Sequence, residues 1–362
     1  MRIVTIFLLG FALLAVLIWV LILGKRNADK PDFTDLEAID VHAHVLIFPP
    51  VFEEALRRLR MRIVNICYIN KDDQGFETLE PQQTAAIRIF QQSNGAIAWC
   101  STFDPQHWER PEFVDQTIAQ TRLAFEKGAV GIKIHKSIGM SLKSNTGRYL
   151  LPDDPKLAPI FSMVEAHKKT LFAHVADPTT AWQPLRRNNP HYRYYKNHPE
   201  FHLYMHPERP RKETILESRD RILKRHSRLR TIGCHLGSME DDLEELGRRF
   251  ELYQNFAVDT ATALNAMMLQ PRERARAFLM KYSDRVLYGT DLGLVPWKDP
   301  KKTVKHYEEQ LARDYVYLAT NQTITFRGQQ IQGLDLPESV LRNIYRNNAL
   351  KWIPDLATEP RK

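Results

Sequence analysis

The stretch Ala38-Ile-Asp-Val-His-Ala-His-Val-Leu46 is an apolar segment that carries two histidines, His42 and His44, at alternate positions. Side chains alternate between the two faces of a strand, so residues two apart share a face. Two imidazoles on one face can bind a cation, or they can be hydrogen-bonded residues of a packed core. The motif alone does not separate these interpretations, and the rest of the chain has to do so.

From residue 37 onward, short apolar segments alternate with amphipathic helical stretches. This alternation predicts a parallel sheet, and strands that are apolar throughout are typical of burial on both faces. Eight such units in about 285 residues match the size of a (β/α)8 barrel. An open doubly wound sheet is the alternative, but the Gly-x-Gly-x-x-Gly turn expected after its first strand is absent. We therefore predict an α/β fold, a (β/α)8 TIM barrel.

The boundaries of the units follow from the same pattern. The predicted strands are residues 37–42, 62–68, 96–102, 129–135, 170–175, 231–235, 255–259 and 285–289. The clearest helices are residues 113–127, 157–169, 213–226, 240–253 and 272–282, with a further amphipathic helix in residues 333–352 that is expected to pack under or against the barrel.

The N-terminal segment has a different composition from the rest. Residues 3–24 lack charged side chains, and as a helix they would span about 33 Å, enough to cross a bilayer. We predict an N-terminal transmembrane anchor (residues 1–24), a tether (25–36) and one barrel domain (37–362). The basic residues that follow the span favour a cytoplasmic tether. A lone N-terminal anchor, however, usually displays an enzyme outside the cytoplasm. We therefore prefer an extracytoplasmic catalytic domain.

Charge and cysteine content exclude some classes of function. The net charge of +8 is modest for 362 residues, and no nucleic-acid-binding module is recognisable, so nucleic acid is not an expected partner. Three cysteines, all in predicted strands, argue against a disulfide framework. The expected partner is a small-molecule substrate, for which an anionic group is one option. A homo-oligomer is equally compatible with the sequence.

Polar residues recur where six of the eight predicted strands end, which is where the functional residues of a TIM barrel lie. These residues are His42, His44, Lys133, His135, His174, His235, Asp259 and Asp291. Buried imidazoles and charges are costly unless they are paired or bound to metal. Imidazole and carboxylate ligands suit Zn²⁺ or a similar divalent ion, with one position left for water.

Roles can be assigned to the strongest candidates. His42, His44, His174 and Asp291 can supply four ligands to one divalent ion, most simply Zn²⁺. The ion would lower the pKa of bound water, so that hydroxide becomes available. Asp291 is placed to take the proton, and His235 to hold the water or to polarise a substrate oxygen.

Three further residues have more than one interpretation. Lys133, predicted to be catalytic, could orient substrate, could be carboxylated and bridge two ions, or could pair with Asp291 or Asp259. His135 is predicted to contact substrate. Asp259 is either a substrate contact or a hydrogen-bond partner of a metal ligand. A second metal ion therefore stays open.

The ordered set of residues resembles the amidohydrolase superfamily. The resemblance rests on His-x-His after the first strand, His174, His235 with the following Leu-Gly, and Tyr288-Gly-Thr-Asp291. It is closest to the branch of lactonases, hydratases and non-oxidative decarboxylases, and it covers residues 36–353, including the final helical segment that begins at Ile344.

This resemblance implies a metal-dependent (β/α)8 enzyme. His42, His44, His174 and Asp291 match the superfamily's metal ligands, and His235 matches its strand-six histidine. Mononuclear members of the branch do not need a lysine ligand on strand four, so Lys133 leaves the number of ions undecided.

The segment after the fifth strand is the strongest candidate for substrate selection. A loop of about 35 residues within a compact domain is usually functional or disordered, and its aromatic residues argue against disorder. We predict that Trp182, Tyr192 and Tyr194 line the pocket and that Arg186 or Arg187 meets an anionic group. A packed surface flap is the alternative.

Three functions compete on the sequence. The first is a metal-dependent hydrolase that uses metal-bound hydroxide on an amide, ester or lactone carbonyl. The second is a metal-dependent non-oxidative decarboxylase, a lyase, acting on an aromatic or unsaturated carboxylic acid. The third is a membrane-tethered binding protein on an inactive barrel, which would require loss of ligands that this chain retains.

Overall fold

Short parallel strands form the centre of the computed structural model, which describes residues 30–187 and 189–357. The strands of the sheet are β1 (Ile39–Val45), β2 (Arg62–Ile66), β3 (Ile97–Thr102), β4 (Ala129–Ile134), β5 (Thr170–Ala173), β6 (Arg230–Gly233), β7 (Phe256–Asp259), β8 (Val286–Leu287) and β9 (Leu292–Leu294). They lie in chain order around the sheet, except that β9 lies beside β1. The predicted alternation of strands and helices around a parallel sheet is confirmed.

The sheet curls until its two edges meet at an interrupted eighth strand. β8 pairs with β7, whereas β9 pairs with β1. Between these two pairings, the Val41 amide donates to the Tyr288 carbonyl (2.9 Å) and the Asp291 amide donates to the His42 carbonyl (2.8 Å). One kinked strand, residues 286–294, therefore joins the edges, as the closure of a (β/α)8 barrel requires.

Helices cover the outer face of the sheet. The longer ones are Pro50–Leu59, Leu79–Gln92, Phe113–Glu126, Ala158–Ala166, Lys212–Arg225, Leu243–Leu252, Arg272–Lys281 and Pro300–Ala319. Shorter ones are Ser137–Met140, Tyr192–Asn197, Cys234–Gly237, Leu264–Met267, Glu338–Arg342 and Asn348–Trp352. Aspartates cap two of the long helices: Asp242 accepts from the Glu245 amide and Asp299 from the Lys301 amide.

The C-terminal segment closes the N-terminal end of the barrel. Thr170, the first residue of β5, donates to the Trp352 carbonyl (2.7 Å), and Arg62, the first residue of β2, donates to the Leu356 carbonyl (2.8 Å). Trp352 and Leu356 also pack into the apolar interior of the barrel. The active end is therefore the opposite one, where the strands terminate.

Two features outside the central sheet differ from the expectations. The helix expected in residues 333–352 begins at Glu338 and contains a π-helical turn, Asn343–Asn347. Within that turn the Ile344 carbonyl accepts from the Tyr288 amide (2.9 Å), which ties the segment to the kinked strand. A surface hairpin, Thr323–Phe326 with Gln329–Gln332, was not anticipated.

The predicted transmembrane anchor lies outside the described residues. Within residues 30–187 and 189–357, no helix combines the length and hydrophobicity needed to cross a bilayer. This finding contradicts the membrane location, with an extracytoplasmic domain, that the sequence suggested, and the prediction is corrected on that ground. The end of the predicted tether packs on the barrel, where the Phe33 ring lies 5.6 Å from that of Tyr345.

Candidate metal centre

Histidines and an aspartate from distant parts of the chain meet at the C-terminal end of the barrel. Asp291 Oδ1 lies 3.6 Å from His42 Nε2 and 3.3 Å from His44 Nε2. The His235 ring centroid lies 4.9 Å from that of His42 and 4.4 Å from that of His174. The structure thus brings together the four predicted metal ligands and the predicted strand-six histidine.

Hydrogen bonds behind the imidazoles fix which nitrogen faces the centre. His42 Nδ1 lies 2.9 Å from Asp259 Oδ2, His44 Nδ1 2.7 Å from the Ile66 carbonyl, and His235 Nδ1 2.8 Å from the Ala261 carbonyl. Carbonyl and carboxylate oxygens only accept, so each Nδ1 carries the proton. Each Nε2 then presents a lone pair, as metal-binding histidines do.

These donor atoms fit a divalent ion. Metal–ligand bonds of about 2.1 Å place neighbouring ligand atoms about 3–3.5 Å apart, close to the two Asp291 distances above. Ligand atoms of His42, His235 and Asp291 all lie within 4.8 Å of one another. Two imidazoles and a carboxylate therefore form a set that could hold a divalent cation.

Lys133 lies inside this cluster rather than in its wall. Its Nζ is 2.9 Å from His42 Nε2 and 5.4 Å from the centroid of the Tyr68 ring, and its side chain is buried. The Lys133 ammonium donates to the Nε2 lone pair of His42, and a divalent cation would compete with the ammonium for that lone pair. Neither Asp291 nor Asp259 forms an ion pair with Lys133 in the described structure, so that interpretation of Lys133 loses support.

Burial sets the charge state of the imidazoles. Burial, followed by the charge of Lys133, lowers the pKa of His42 from 6.5 to about 4. Burial likewise lowers the pKa values of His44, His135 and His174, with smaller contributions from neighbouring cations. At neutral pH these rings are uncharged, which is the state that binds metal.

Asp259 supports two of the imidazoles at once. Its Oδ2 accepts from His42 Nδ1, and its Oδ1 accepts from the His235 amide (2.8 Å). Burial acts to raise its pKa, but the contacts with His42 and His235 outweigh burial and lower it. The sequence left two roles open for Asp259, a substrate contact and a hydrogen-bond partner of a metal ligand. These contacts match the second role.

Asp40 performs a similar task on the other side of His42, although the pattern of polar residues at strand ends did not select it. The buried carboxylate accepts from the His42 amide (3.0 Å), the Thr290 amide (3.1 Å), the Thr290 hydroxyl (2.6 Å) and the Tyr307 hydroxyl (3.2 Å). It therefore joins β1 to the kink that carries Asp291. Burial raises the pKa of Asp40 to about 7 against these hydrogen bonds.

His235 opens a turn with unusual backbone geometry. Its φ of 56° is followed by positive φ at Leu236, Gly237 and Ser238 (53°, 63° and 63°), and left-handed backbone is costly for residues other than glycine. The buried Arg219 holds the turn by donating to the Gly237 carbonyl (2.8 Å). Such strain persists where surrounding contacts enforce it, often at functional sites.

A cavity of about 410 Å³ opens above the cluster. It is lined by His44, Tyr68, Asn70, Asp72, Asp73, Gln74, Phe76, Lys133, His135, Lys136, His174, Tyr194, His235, Asp291, Gly293, Val295, Trp297 and Lys298. Of the substrate contacts predicted outside the cluster, His135 and Tyr194 are in this lining.

The other loop residues predicted to contact substrate lie elsewhere. Trp182 and Tyr192 do not line the cavity, and Trp182 Nε1 donates to the Pro210 carbonyl (3.2 Å) within its own loop. Arg186 lines a separate hollow of about 300 Å³, and Arg187 lines neither cavity. The loop after β5 thus contributes one aromatic wall residue, Tyr194, rather than three.

Several lining residues were missed because their positions depend on contacts between loops. Tyr68 stacks on Phe76 (ring centroids 4.4 Å apart) and packs edge-on against the His44 ring (4.6 Å). Lys136 forms a buried ion pair with Asp177 (2.6 Å). The only available sign in the sequence was the position of Lys136 directly after His135.

Comparison with known proteins agrees with this architecture. The amidohydrolase family model matches residues 39–354, and no curated protein matches the chain significantly. Among solved structures, 2,6-dihydroxybenzoate decarboxylase from Rhizobium is similar over 88% of this chain and 98% of its own, with a TM-score of 0.52 and 13% identity. A second solved structure, 2,6-dihydroxybenzoate decarboxylase complexed with 2,6-dihydroxybenzoate, has the same coverage and identity and a TM-score of 0.53.

A third similar structure is 5-carboxyvanillate decarboxylase from Sphingomonas paucimobilis, with 14% identity, a TM-score of 0.48 and coverage of 88% of this chain and 99% of its own. At 13% identity, the likeness to the first two structures concerns the fold alone. The family model, in contrast, spans nearly the whole described barrel and its C-terminal segment. This chain belongs to the amidohydrolase family.

Proposed function

We propose that the protein is a metal-dependent hydrolase acting on the carbonyl of an amide, ester or lactone in a small molecule. One observation carries the proposal: the Nε2 atoms of His42 and His44 and the carboxylate of Asp291 converge at the floor of a cavity, with both Nδ1 atoms engaged behind them. A structural role alone would not require three potential metal-ligand groups to face one point.

His42, His44, His174 and Asp291 would hold the ion, and zinc is the ion that we propose for this ligand set. When bound, a divalent cation supplies Lewis acidity and lowers the pKa of water. We propose one ion, because His42, His44, His174 and Asp291 account for it without a lysine ligand.

The protein's own groups would carry the proton and hold the reactants. Burial acts to raise the pKa of Asp291, but its contacts with His44, His235 and His42 outweigh burial and hold that pKa well below its usual range, so the carboxylate is ionised. It can therefore accept a proton from the attacking water and return it to the leaving group. His235 Nε2 is an acceptor in the observed arrangement, which suits holding the water better than polarising a carbonyl.

Lys133 would act on substrate in this scheme. Its ammonium is buried beside His42 and lines the cavity, so it can stabilise the negative charge that develops on a carbonyl oxygen. The substrate contacts proposed with it are His135 and Tyr194, which line the same cavity. Asp259 would keep the His42 and His235 rings in place.

The second candidate is a metal-dependent decarboxylase. The buried ammonium group of Lys133 lines the cavity together with the stacked rings of Tyr68 and Phe76. Such a lining would also accept an aromatic carboxylate, so this candidate stays alongside the hydrolase.

Product analysis separates the two candidates. The purified protein, loaded with Zn²⁺, is assayed against lactones, esters, N-acyl compounds and aryl carboxylates, with acid release and CO₂ release followed in parallel. We expect acid release without CO₂, abolished by a chelator and restored by Zn²⁺. Release of CO₂ from an aryl carboxylate would favour the lyase, and absence of any metal-dependent turnover would contradict both.

A further inference from the structure

A buried ion pair lies in the wall of the cavity, next to the metal centre. Lys136, which follows β4, is 5% exposed, and Asp177, which begins the loop after β5, is 4% exposed. Lys136 Nζ lies 2.6 Å from Asp177 Oδ1, and Asp177 Oδ1 lies 3.9 Å from His174 Nε2. The pair is electrically balanced, so Lys136 is not itself a free cation for an incoming anion.

The remaining directions around the Lys136 ammonium are also used. It donates to the Tyr194 hydroxyl oxygen (2.9 Å) and lies 4.0 Å from the centroid of the Phe201 ring. A lysine ammonium has three donors, and Asp177, Tyr194 and the face of Phe201 engage them. Lys136 therefore holds the Tyr194 hydroxyl in one orientation instead of binding ligands directly.

This contact leaves the Tyr194 hydroxyl with a proton to donate. A phenol can accept and donate at the same time, and here the accepting role is filled by Lys136. Among residues 30–187 and 189–357, no group accepts the Tyr194 proton. The side chain lines the cavity, so the available donor borders the space that a ligand would fill.

A chain of contacts connects the Tyr194 hydroxyl to His174 at the metal centre. Three successive steps, Tyr194 to Lys136, Lys136 to Asp177 and Asp177 to His174, measure 2.9, 2.6 and 3.9 Å. A small molecule bound at the imidazoles can therefore reach Tyr194 with its other end. Polarisation by the adjacent ammonium makes the phenol a stronger donor.

We propose that the Tyr194 hydroxyl is a substrate-binding group that recognises a second oxygen acceptor, a carboxylate, on the end of the substrate distal to the metal centre. The inference rests on the proposed function for the reaction itself, but it concerns binding and can be tested without turnover. Lys136 and Asp177 are positioning residues in this arrangement, because they act on the ligand only through Tyr194.

The chain offers a matched control in the same helix. Tyr192 and Tyr194 both lie in Tyr192–Asn197, but only Tyr194 lines the cavity. Tyr194→Phe removes the hydroxyl and keeps the ring, and Tyr192→Phe makes the same chemical change outside the cavity. Both variants keep the aromatic packing of the loop, so neither is expected to unfold it.

The experiment measures binding of simple carboxylates to the Zn²⁺-loaded protein by titration calorimetry. The probes are succinate, glutarate and adipate, each compared with butyrate, which offers one carboxylate for the metal centre and none for Tyr194. We expect at least one dicarboxylate to bind wild type about tenfold more tightly than butyrate, as one hydrogen bond to a charged acceptor allows. Tyr194→Phe should lose that preference, and Tyr192→Phe should keep it.

Two results would overturn the inference. In the first, the wild-type protein binds every dicarboxylate no more tightly than butyrate. In the second, Tyr194→Phe retains the full preference for the dicarboxylate over butyrate. Failure of the proposed function would give a different result. If the protein prefers dicarboxylates but hydrolyses no substrate, the Tyr194 site is supported and the proposed hydrolase activity is contradicted.

Discussion

Two cavities of comparable size lie at opposite ends of the barrel, and they differ in chemistry. The one at the C-terminal end, about 410 Å³, has buried imidazoles and a carboxylate at its floor. The one beside the N-terminal ends of β1 to β3, about 490 Å³, is lined by Arg57, Arg60, Arg62 and Arg346. The larger cavity contains no comparable set of free donor atoms among its described lining residues.

The arginines at the N-terminal end have structural partners. Glu37 forms ion pairs with Arg60 and Arg346, and Arg57 pairs with Glu54. Arg57 and Arg60 also lie at the end of the helix Pro50–Leu59, where cations are favoured by the helix dipole. At the C-terminal end, in contrast, hydrogen bonds engage the Nδ1 atoms of His42, His44 and His235, so that their Nε2 atoms are directed at the centre. Ligand atoms directed at one point, rather than volume, mark the functional end.

The largest effect is expected from removing a ligand. His42→Ala should abolish stoichiometric metal binding and lower kcat/KM by about 10³-fold or more, since metal activation contributes several kcal/mol. The matched change at the other end, Glu37→Gln, should leave both quantities within about twofold. Metal content and steady-state kinetics measure this difference, and equal losses in the two variants would erase the distinction between the ends.

Acid should destabilise the metal-free protein through the buried imidazoles. The pKa of His42 is lowered by burial from 6.5 to about 4, so the unfolded chain takes up a proton that the folded chain excludes. Stability from His42 is complete above about pH 6.5 and falls by about 3 kcal/mol as the pH decreases towards 4.

Urea denaturation at several pH values, compared between wild type and His42→Gln, isolates this contribution from that of Asp40. The raised pKa of Asp40, about 7, acts in the opposite direction, because protonation of its carboxyl is favoured by the fold. A shallower dependence in His42→Gln is expected. The same dependence in both proteins would mean that His42 is not held neutral.

A smaller effect is expected from Asp259→Asn. The substitution keeps the shape of the side chain but removes the charge that fixes the His42 and His235 rings. Loss of such a partner typically weakens metal affinity by about 10- to 100-fold. Zinc titration against a competing chelator measures the change, and wild-type affinity in the variant would refute the supporting role of Asp259.

The smallest effect is expected at the N-terminal end. Arg346→Ala removes a partly exposed ion pair with Glu37 (3.1 Å), which should change the free energy of unfolding by about 1 kcal/mol or less. Metal affinity should be unaffected. A loss of metal in this variant would show that the two ends are coupled and not independent.

The features that sequence reasoning reached are those encoded locally. Each strand of the barrel is an apolar run of its own, and each functional residue at a strand end follows its run directly, as His174 follows β5. Position in the barrel then brings His42 and Asp291 together, although they are far apart in the chain. The membrane location was the exception, since it rested on a segment that lies outside the described residues.

The features that were missed depend on contacts between distant segments. The kink in the eighth strand exists because β9 pairs with β1 and the Asp291 amide bonds to His42. Asp40 lies within the stretch from Ala38 to Leu46 that carries His42 and His44. Its role depends on the hydrogen bond that its carboxylate accepts from Thr290, which is distant in the chain. Similarly, Trp182 and Tyr194 are both aromatic residues of one loop, and the chain pattern does not state which one faces the cavity.

Anomalous diffraction from crystals of the Zn²⁺-loaded protein tests the central claim most directly. We expect one anomalous peak within about 2.0–2.3 Å of the Nε2 atoms of His42 and His44 and of the Asp291 carboxylate, with His174 completing the set. Lys133 Nζ should then have left His42 Nε2. Zinc-loaded crystals with no peak near these atoms, or with the only peak elsewhere, would contradict a metal centre at this end of the barrel.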